Sequence, residues 1–419
     1  MHNFFETKKY HLLIICGTSV LIFFMINIYT IGFGSMAVRT DLLPERLRDY
    51  TFPIWQQYSF LEHGFLMFLA PGDFQLSKAY SNHSTLYLLF MNMLYKLQLI
   101  YPSLTMRIVG AFLAMSASLA AIVFVVFSQV KEDFNFKKVI LILLGLIYFM
   151  TMPTFWISLG KFNVDNPFVF IFPLLILVAY QLSLEVKKGF KFWVLVIFFC
   201  AVTPTSSVLL AIFLLIKSFN AGGMRKDFML SSIVFALLGS FFYLEPVVFS
   251  KILGFTSKNS GWLFRSGLDG DTQYYSNFIN SVLHPVFIRP VYILFIPILL
   301  LSVQLLYSFN KKESTDLKAA VYHSEFLQIL FSVYVLSLLF WPQAISIHPY
   351  LYDHLVVAPI AVWIILNFSF SSKYVAHFSF WALLMLFFVV FNLTQIAQAA
   401  HCKACYYPTW DISGSRDGV

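Results

Sequence analysis

Apolar positions in this chain do not alternate with polar ones. They run together, and the polar residues collect in the intervals between the runs. The runs fall at 12–33, 108–130, 139–159, 168–184, 192–202, 208–215, 229–249, 287–309, 327–341, 356–370 and 377–397. The longer ones hold about twenty residues, enough for a helix rising 1.5 Å per residue to cross the roughly 30 Å hydrocarbon core of a bilayer. Ten-residue segments of alternating polarity, the mark of a membrane β-barrel, are absent from the sequence. Backbone groups in lipid must be satisfied within their own segment, so the pattern predicts an all-α polytopic membrane protein of about eleven transmembrane helices.

Composition agrees: 59% of the 419 residues are hydrophobic and 11% are charged, where a water-soluble domain carries about 25% charged residues. The net charge of +8 is spread over the ends of the runs, so it gives no reason to expect nucleic acid as a partner. Lys8 and Lys9 precede a first run longer than the core of a signal peptide, which predicts an uncleaved first helix. With a cytoplasmic N-terminus, short basic loops fall inside, as at 131–138, 187–191 and 311–318. The long intervals 34–107, 160–167, 250–289 and 342–355 then fall outside with most of the acids, as does a short tail at 401–419. Residues 1–400 read as one transmembrane domain without internal repeats.

Two places depart from simple spans. The short runs 192–202 and 208–215 flank Thr203-Pro204-Thr205 and are expected to be half-spans meeting at the outer surface, since proline breaks helices. The stretch 84–100 is apolar, but counting it as a span would carry every later lysine cluster outside. It is expected to lie as a helix in the outer interface, with Tyr87, Phe90, Tyr95 and Tyr101 as its aromatic belt.

Candidate chemistry sits in the outer intervals. Asp41, Glu45 and Asp49 recur every four residues, so a helix would present them on one face. They read either as a solvated helix paired with Arg46 and Arg48, or as a general base or metal ligand at the mouth of a membrane cavity. Asp165 lies two residues before Pro167 and is either a helix cap in the dipole field or a functional acid with a partner. His348, Tyr350, Tyr352, Asp353 and His354 crowd one outer span end, with His348 and Asp353 candidates for binding a sugar or the counter-ion of a phosphate. Cys402 and Cys405 form a C-x-x-C in the tail, read as a small disulfide turn or two free thiols. Asn82 and Asn392 open N-x-S/T triplets. There is no phosphate-binding glycine loop and no nucleophile elbow, so ATP-driven transport by this chain alone is not expected.

The order of these features resembles the GT-C superfamily of polyprenyl-phosphate-sugar-dependent glycosyltransferases, on the pattern of protein O-mannosyltransferases and the lipid A aminoarabinose transferase. The residues that carry the likeness are Asp49, the segment from Asn82 and His83 to Tyr87, and Arg107 before the second span. Asp165-Asn166-Pro167, the broken pair around Thr203-Pro204 and the His348-Pro349-Tyr350-Leu351-Tyr352 stretch complete it. The resemblance implies transfer of a sugar from a polyprenyl-phosphate donor to a lipid, glycan or protein acceptor on the periplasmic or lumenal face, with inversion. It implies Asp49 as base, with Asp41 and Glu45 as substitutes, and Asp165 supporting the acceptor or a divalent metal ion. Arg107, Lys161 and Arg265 become candidates for the phosphate, and His83, Tyr87 and the His348–Asp353 group for the substrates. The competing expectations are a flippase for a lipid-linked sugar, a polysaccharide polymerase, and a non-catalytic subunit of a membrane complex.

Overall fold

The computed structural model describes residues 17, 47–70, 72–81, 83–96, 117–125, 136–151, 171–184, 188–220, 226–257 and 377–401, with scattered positions between 325 and 340. These residues are mostly helical. After a π-helical turn at Leu47–Thr51 come α1 (Phe52–Gln57), α2 (Phe60–His63), β1 (Lys78–Ala79), α3 (Thr85–Lys96), α4 (Phe136–Met150), α5 (Ile171–Ser183) and α6 (Phe190–Val202). Then follow α7 (Pro204–Asn220), α8 (Lys226–Ile252), β2 (Thr256–Ser257) and α9 (Phe378–His401).

The fold is organised on α8. One of its faces exposes Leu230, Ile233, Leu237, Phe241, Leu244, Val248 and Ile252, each three or four residues after the last. That stripe is about 33 Å long, and α8 is long and apolar enough to cross a membrane, with only 33% of its most apolar window buried. A buried core helix of a soluble protein would hide such residues; here they are on the surface.

Against the other face lies α7, running antiparallel. Its start meets Gly239, the Ser232 hydroxyl donates to the Ala211 carbonyl at 2.7 Å, and the Lys217 amino group stands 5.2 Å over the Phe228 ring. Helix α6 rises beside α8, with the Phe199 and Phe235 rings 6.0 Å apart. The chain breaks between α6 and α7 because Pro204 has no N–H to continue a helix and a φ suited to opening one. The Thr203 carbonyl accepts from both the N–H and the hydroxyl of Ser207, at 3.0 and 2.9 Å. Gly239 is midway along α8, about 20 Å from either end. The α6–α7 hairpin therefore stops halfway along α8, where the sequence had placed its tip at a surface.

Described residues between 47 and 96 meet the C-terminal half of α8 and the segment that follows it. Here the Thr51 hydroxyl both donates to the Phe68 carbonyl (2.8 Å) and accepts the Phe68 N–H (3.0 Å), while the Trp55 indole donates to the Leu66 carbonyl (2.8 Å). Helix α2 ends at Gly64, whose φ of 55° suits glycine and whose missing Cβ leaves room for the Leu253 side chain. Phe68 and Phe74 pack on Phe255, and β1 pairs in parallel with β2, Lys78 opposite Thr256. The long polar intervals that begin at 34 and at 250 are thus joined at one end of α8. Elsewhere α4 packs on α9, where the Asn392 amide donates to Thr151 Oγ1 at 3.3 Å and the Tyr148 carbonyl at 3.5 Å.

Most described helices sit on the predicted runs with shifted ends: α7 reaches Asn220 where the apolar run stops at 215, because its last turn is polar. Described residues in 108–130 and 327–341 are helical. The runs at 287–309 and 356–370, and all of 12–33 except Gly17, lie outside the described residues. Tyr87 does not form a belt; it is buried, 2% exposed. The large apolar residues α3 exposes are instead Leu86, Leu89 and Met93. Asn392 is fully buried, so its triplet is not presented for glycosylation.

Candidate functional site

The described polar groups converge at the start of α3. Ser84 stands at its N-cap, where the side-chain oxygen accepts the Tyr87 N–H at 3.2 Å and the hydroxyl donates to the Ala201 carbonyl at 2.8 Å. Thr85 gives its N–H (3.1 Å) and its hydroxyl (2.5 Å) to the two carboxylate oxygens of Glu245. Glu245 belongs to α8 and is 8% exposed. A carboxylate at a helix N-terminus complements the dipole and the unsatisfied N–H groups there. His83 immediately precedes this turn, its ring 6.0 Å from that of Tyr80 and 5.9 Å from that of Tyr87. The site thus joins one turn of the first long interval to the last turn of α6 and the C-terminal half of α8.

Of the sequence-predicted residues, His83 and Tyr87 come together here. Asp49 is elsewhere on the same unit. Both of its carboxylate oxygens meet the Arg48 guanidinium, at 2.5 and 2.6 Å. Its turn lies beside the C-terminal half of α3, where the Phe52 and Tyr95 rings are 4.9 Å apart. The pair is partly exposed, and such pairs between surface neighbours hold little free energy, so Asp49 is not locked away from other chemistry. Asp41, Glu45, Arg107, Lys161, Asp165, Arg265, His348, Tyr350, Tyr352 and Asp353 lie outside the described residues, as do Asn82, Cys402 and Cys405. Among the described residues no three His, Cys, Asp or Glu side chains gather as a metal site would need.

Glu245 is the residue that sequence reasoning undervalued. In the sequence it stands near the end of the apolar run 229–249, but α8 continues to Ile252 and leaves it about two turns inside the helix. The usable signal was Leu244-Glu245-Pro246, an acid in an otherwise apolar run, which marks a functional or partnered group by default. His63, by contrast, is a satisfied core residue. Its Nδ1 accepts the Phe65 N–H at 3.0 Å and its ring stacks on Trp55. Burial holds its pKa below the ordinary value, outweighing the hydrogen bond with the Tyr58 backbone and the neighbouring Glu62 charge. Glu62 is held below the usual carboxylate range because it accepts the Ser59 backbone N–H and hydroxyl, capping α2. Asp73, 4% exposed, accepts the Leu69 N–H within the same unit.

Comparison with protein-family models, with curated proteins and with solved structures gives no match for this chain.

Proposed function

We propose that this chain is an integral membrane glycosyltransferase of the GT-C type, moving a sugar from a polyprenyl-phosphate donor to an acceptor on the outer face of a membrane. The observation that supports this reading is the docking of residues 47–96 on the C-terminal half of α8, beside a hairpin that reaches only half of that helix. The lysine and arginine distribution favours 34–107 and 250–289 on one side of a bilayer, and the pairing of β1 with β2 agrees with that reading. Such an arrangement carries polar groups down among apolar walls, where a lipid-linked donor has its phosphate at the surface and its prenyl chain in hydrocarbon.

In this reading Asp49 takes the proton of the acceptor hydroxyl, with Asp41 or Glu45 as substitutes. The acceptor oxygen bonds to the anomeric carbon as the bond from that carbon to the phosphate oxygen breaks. The electron pair leaves on polyprenyl phosphate, and the anomeric configuration inverts. Arg107, Lys161 and Arg265 stabilise the departing phosphate, Asp165 orients the acceptor, and His83, Tyr87, His348, Tyr350, Tyr352 and Asp353 hold the substrates. A divalent metal ion is a candidate cofactor that would neutralise charge on the phosphate. In proteoliposomes supplied with a panel of polyprenyl-phosphate sugars, the wild-type chain is expected to release polyprenyl phosphate and Asp49→Asn is expected to lose at least 100-fold in rate, the order of general-base catalysis.

A second reading is favoured by two specific features, the broken α6–α7 hairpin and Glu245 within α8. Discontinuous helices and intramembrane acids are devices of transporters. The same vesicles separate the two, since a flippase moves the intact lipid-linked sugar between leaflets without releasing polyprenyl phosphate.

A further inference from the structure

We propose that Glu245 is a positioning residue, which holds the first turn of α3, and with it His83 and Tyr87, in place from within α8. The inference rests on the reading of His83 and Tyr87 as substrate-binding residues. Among the described residues, both hydrogen bonds to the Glu245 carboxylate come from Thr85, one from its N–H and one from its hydroxyl. An apolar side chain at 245 would pack this face of α8 without removing a carboxylate from water, which is costly. What a carboxylate adds is two acceptors, one for the first N–H and one for the first hydroxyl of a helix belonging to a distant part of the chain. Ser84 binds α6 through the Ala201 carbonyl one residue earlier, so two successive residues of the α3 start are gripped by two different helices. His83 is next in the chain, and its ring is held between Tyr80 and Tyr87. Losing the grip at Thr85 would move that group relative to α8.

The test uses the full chain in lipid vesicles and two readouts, amide hydrogen exchange of the peptide covering α3 and turnover of the polyprenyl-phosphate sugar. Glu245→Ala is expected to speed exchange in the first turn of α3 about tenfold or more, the scale of losing hydrogen bonds to a charged group, and to raise KM for the donor. Glu245→Gln keeps an oxygen for the Thr85 N–H and is expected to restore both. Thr85→Val, which removes only the hydroxyl, should fall between them and covers the case in which the alanine variant fails to fold. Unchanged exchange in Glu245→Ala and Thr85→Val would overturn the proposal. So would a glutamine variant with wild-type exchange and no turnover, since the charge itself would then be acting in the chemistry. If the wild type turns over no donor, the transferase reading fails by itself, and the exchange rates still decide whether Glu245 holds α3.

Discussion

Gly239 is where the start of α7, at the tip of the α6–α7 hairpin, meets α8, and replacing it by leucine tests the packing there. An ideal Cβ at 239 would lie 3.0 Å from the Pro204 carbonyl oxygen, 3.0 Å from Ser207 Cβ and 3.1 Å from Val208 Cγ2. The first of these belongs to backbone and cannot swing aside. For alanine, the helix-propensity gain of about 1 kcal/mol over glycine is offset by pushing α7 back a few tenths of an ångström, so a small net change is expected. Leucine adds three further carbons where no space exists, and overpacking of a tight contact costs about 1–3 kcal/mol or more. Gly239→Leu is therefore expected to destabilise the chain by about 3 kcal/mol, measured by denaturant unfolding in mixed micelles. Leu237→Ala, at a position 66% exposed on the other face of α8, is the control and should change little. A Gly239→Leu variant within about 0.5 kcal/mol of wild type, the range of surface substitutions, would refute the close approach of α7 and α8.

Asn392 should remain unmodified when the chain passes through a glycosylating secretory pathway, so Asn392→Gln should leave its gel mobility without glycosidase treatment unchanged. Asn392→Ala should cost about 1 kcal/mol or more, because it removes the hydrogen bonds to Thr151 and to the Tyr148 carbonyl from a buried position; unfolding measurements check this. His63, with its folded pKa lowered from 6.5 by burial, contributes stability that is present above the unfolded value and lost as pH falls below about 6.5 toward the lower folded one. Protonating Nδ1 would also set it against the Phe65 N–H that it now accepts. Thermal unfolding followed from pH 7.5 to 5 should show this loss, and His63→Phe should flatten it.

The helices were legible wherever a run of apolar residues coincides with a packed segment, as at α5, α6, α8 and α9. Their ends were not, because polar last turns such as Lys217–Asn220 lie outside an apolar run while remaining helical. The Thr203-Pro204 break was legible from proline chemistry, but its depth was not. Depth depends on which residue of α8 it meets, and the small residue at 239 is what lets α7 come so close there. The fold of residues 47–80 had no periodic signal at all. It is held by single long-range contacts, Thr51 to Phe68, Trp55 to Leu66 and Ser77 to Thr256, which leave no pattern in the sequence. His83 and Tyr87 were legible as a pair, whereas the partner of Glu245 was not, since Thr85 lies 160 residues away in the chain.

The most direct test of the transferase reading is a mass-spectrometric profile of envelope lipids and glycans from cells with the intact gene, without it, and complemented by Asp49→Asn. Loss of one defined sugar, restored by wild type and not by the variant, is the predicted result. Accumulation of an intact lipid-linked precursor, or a profile identical in all three strains, would contradict it.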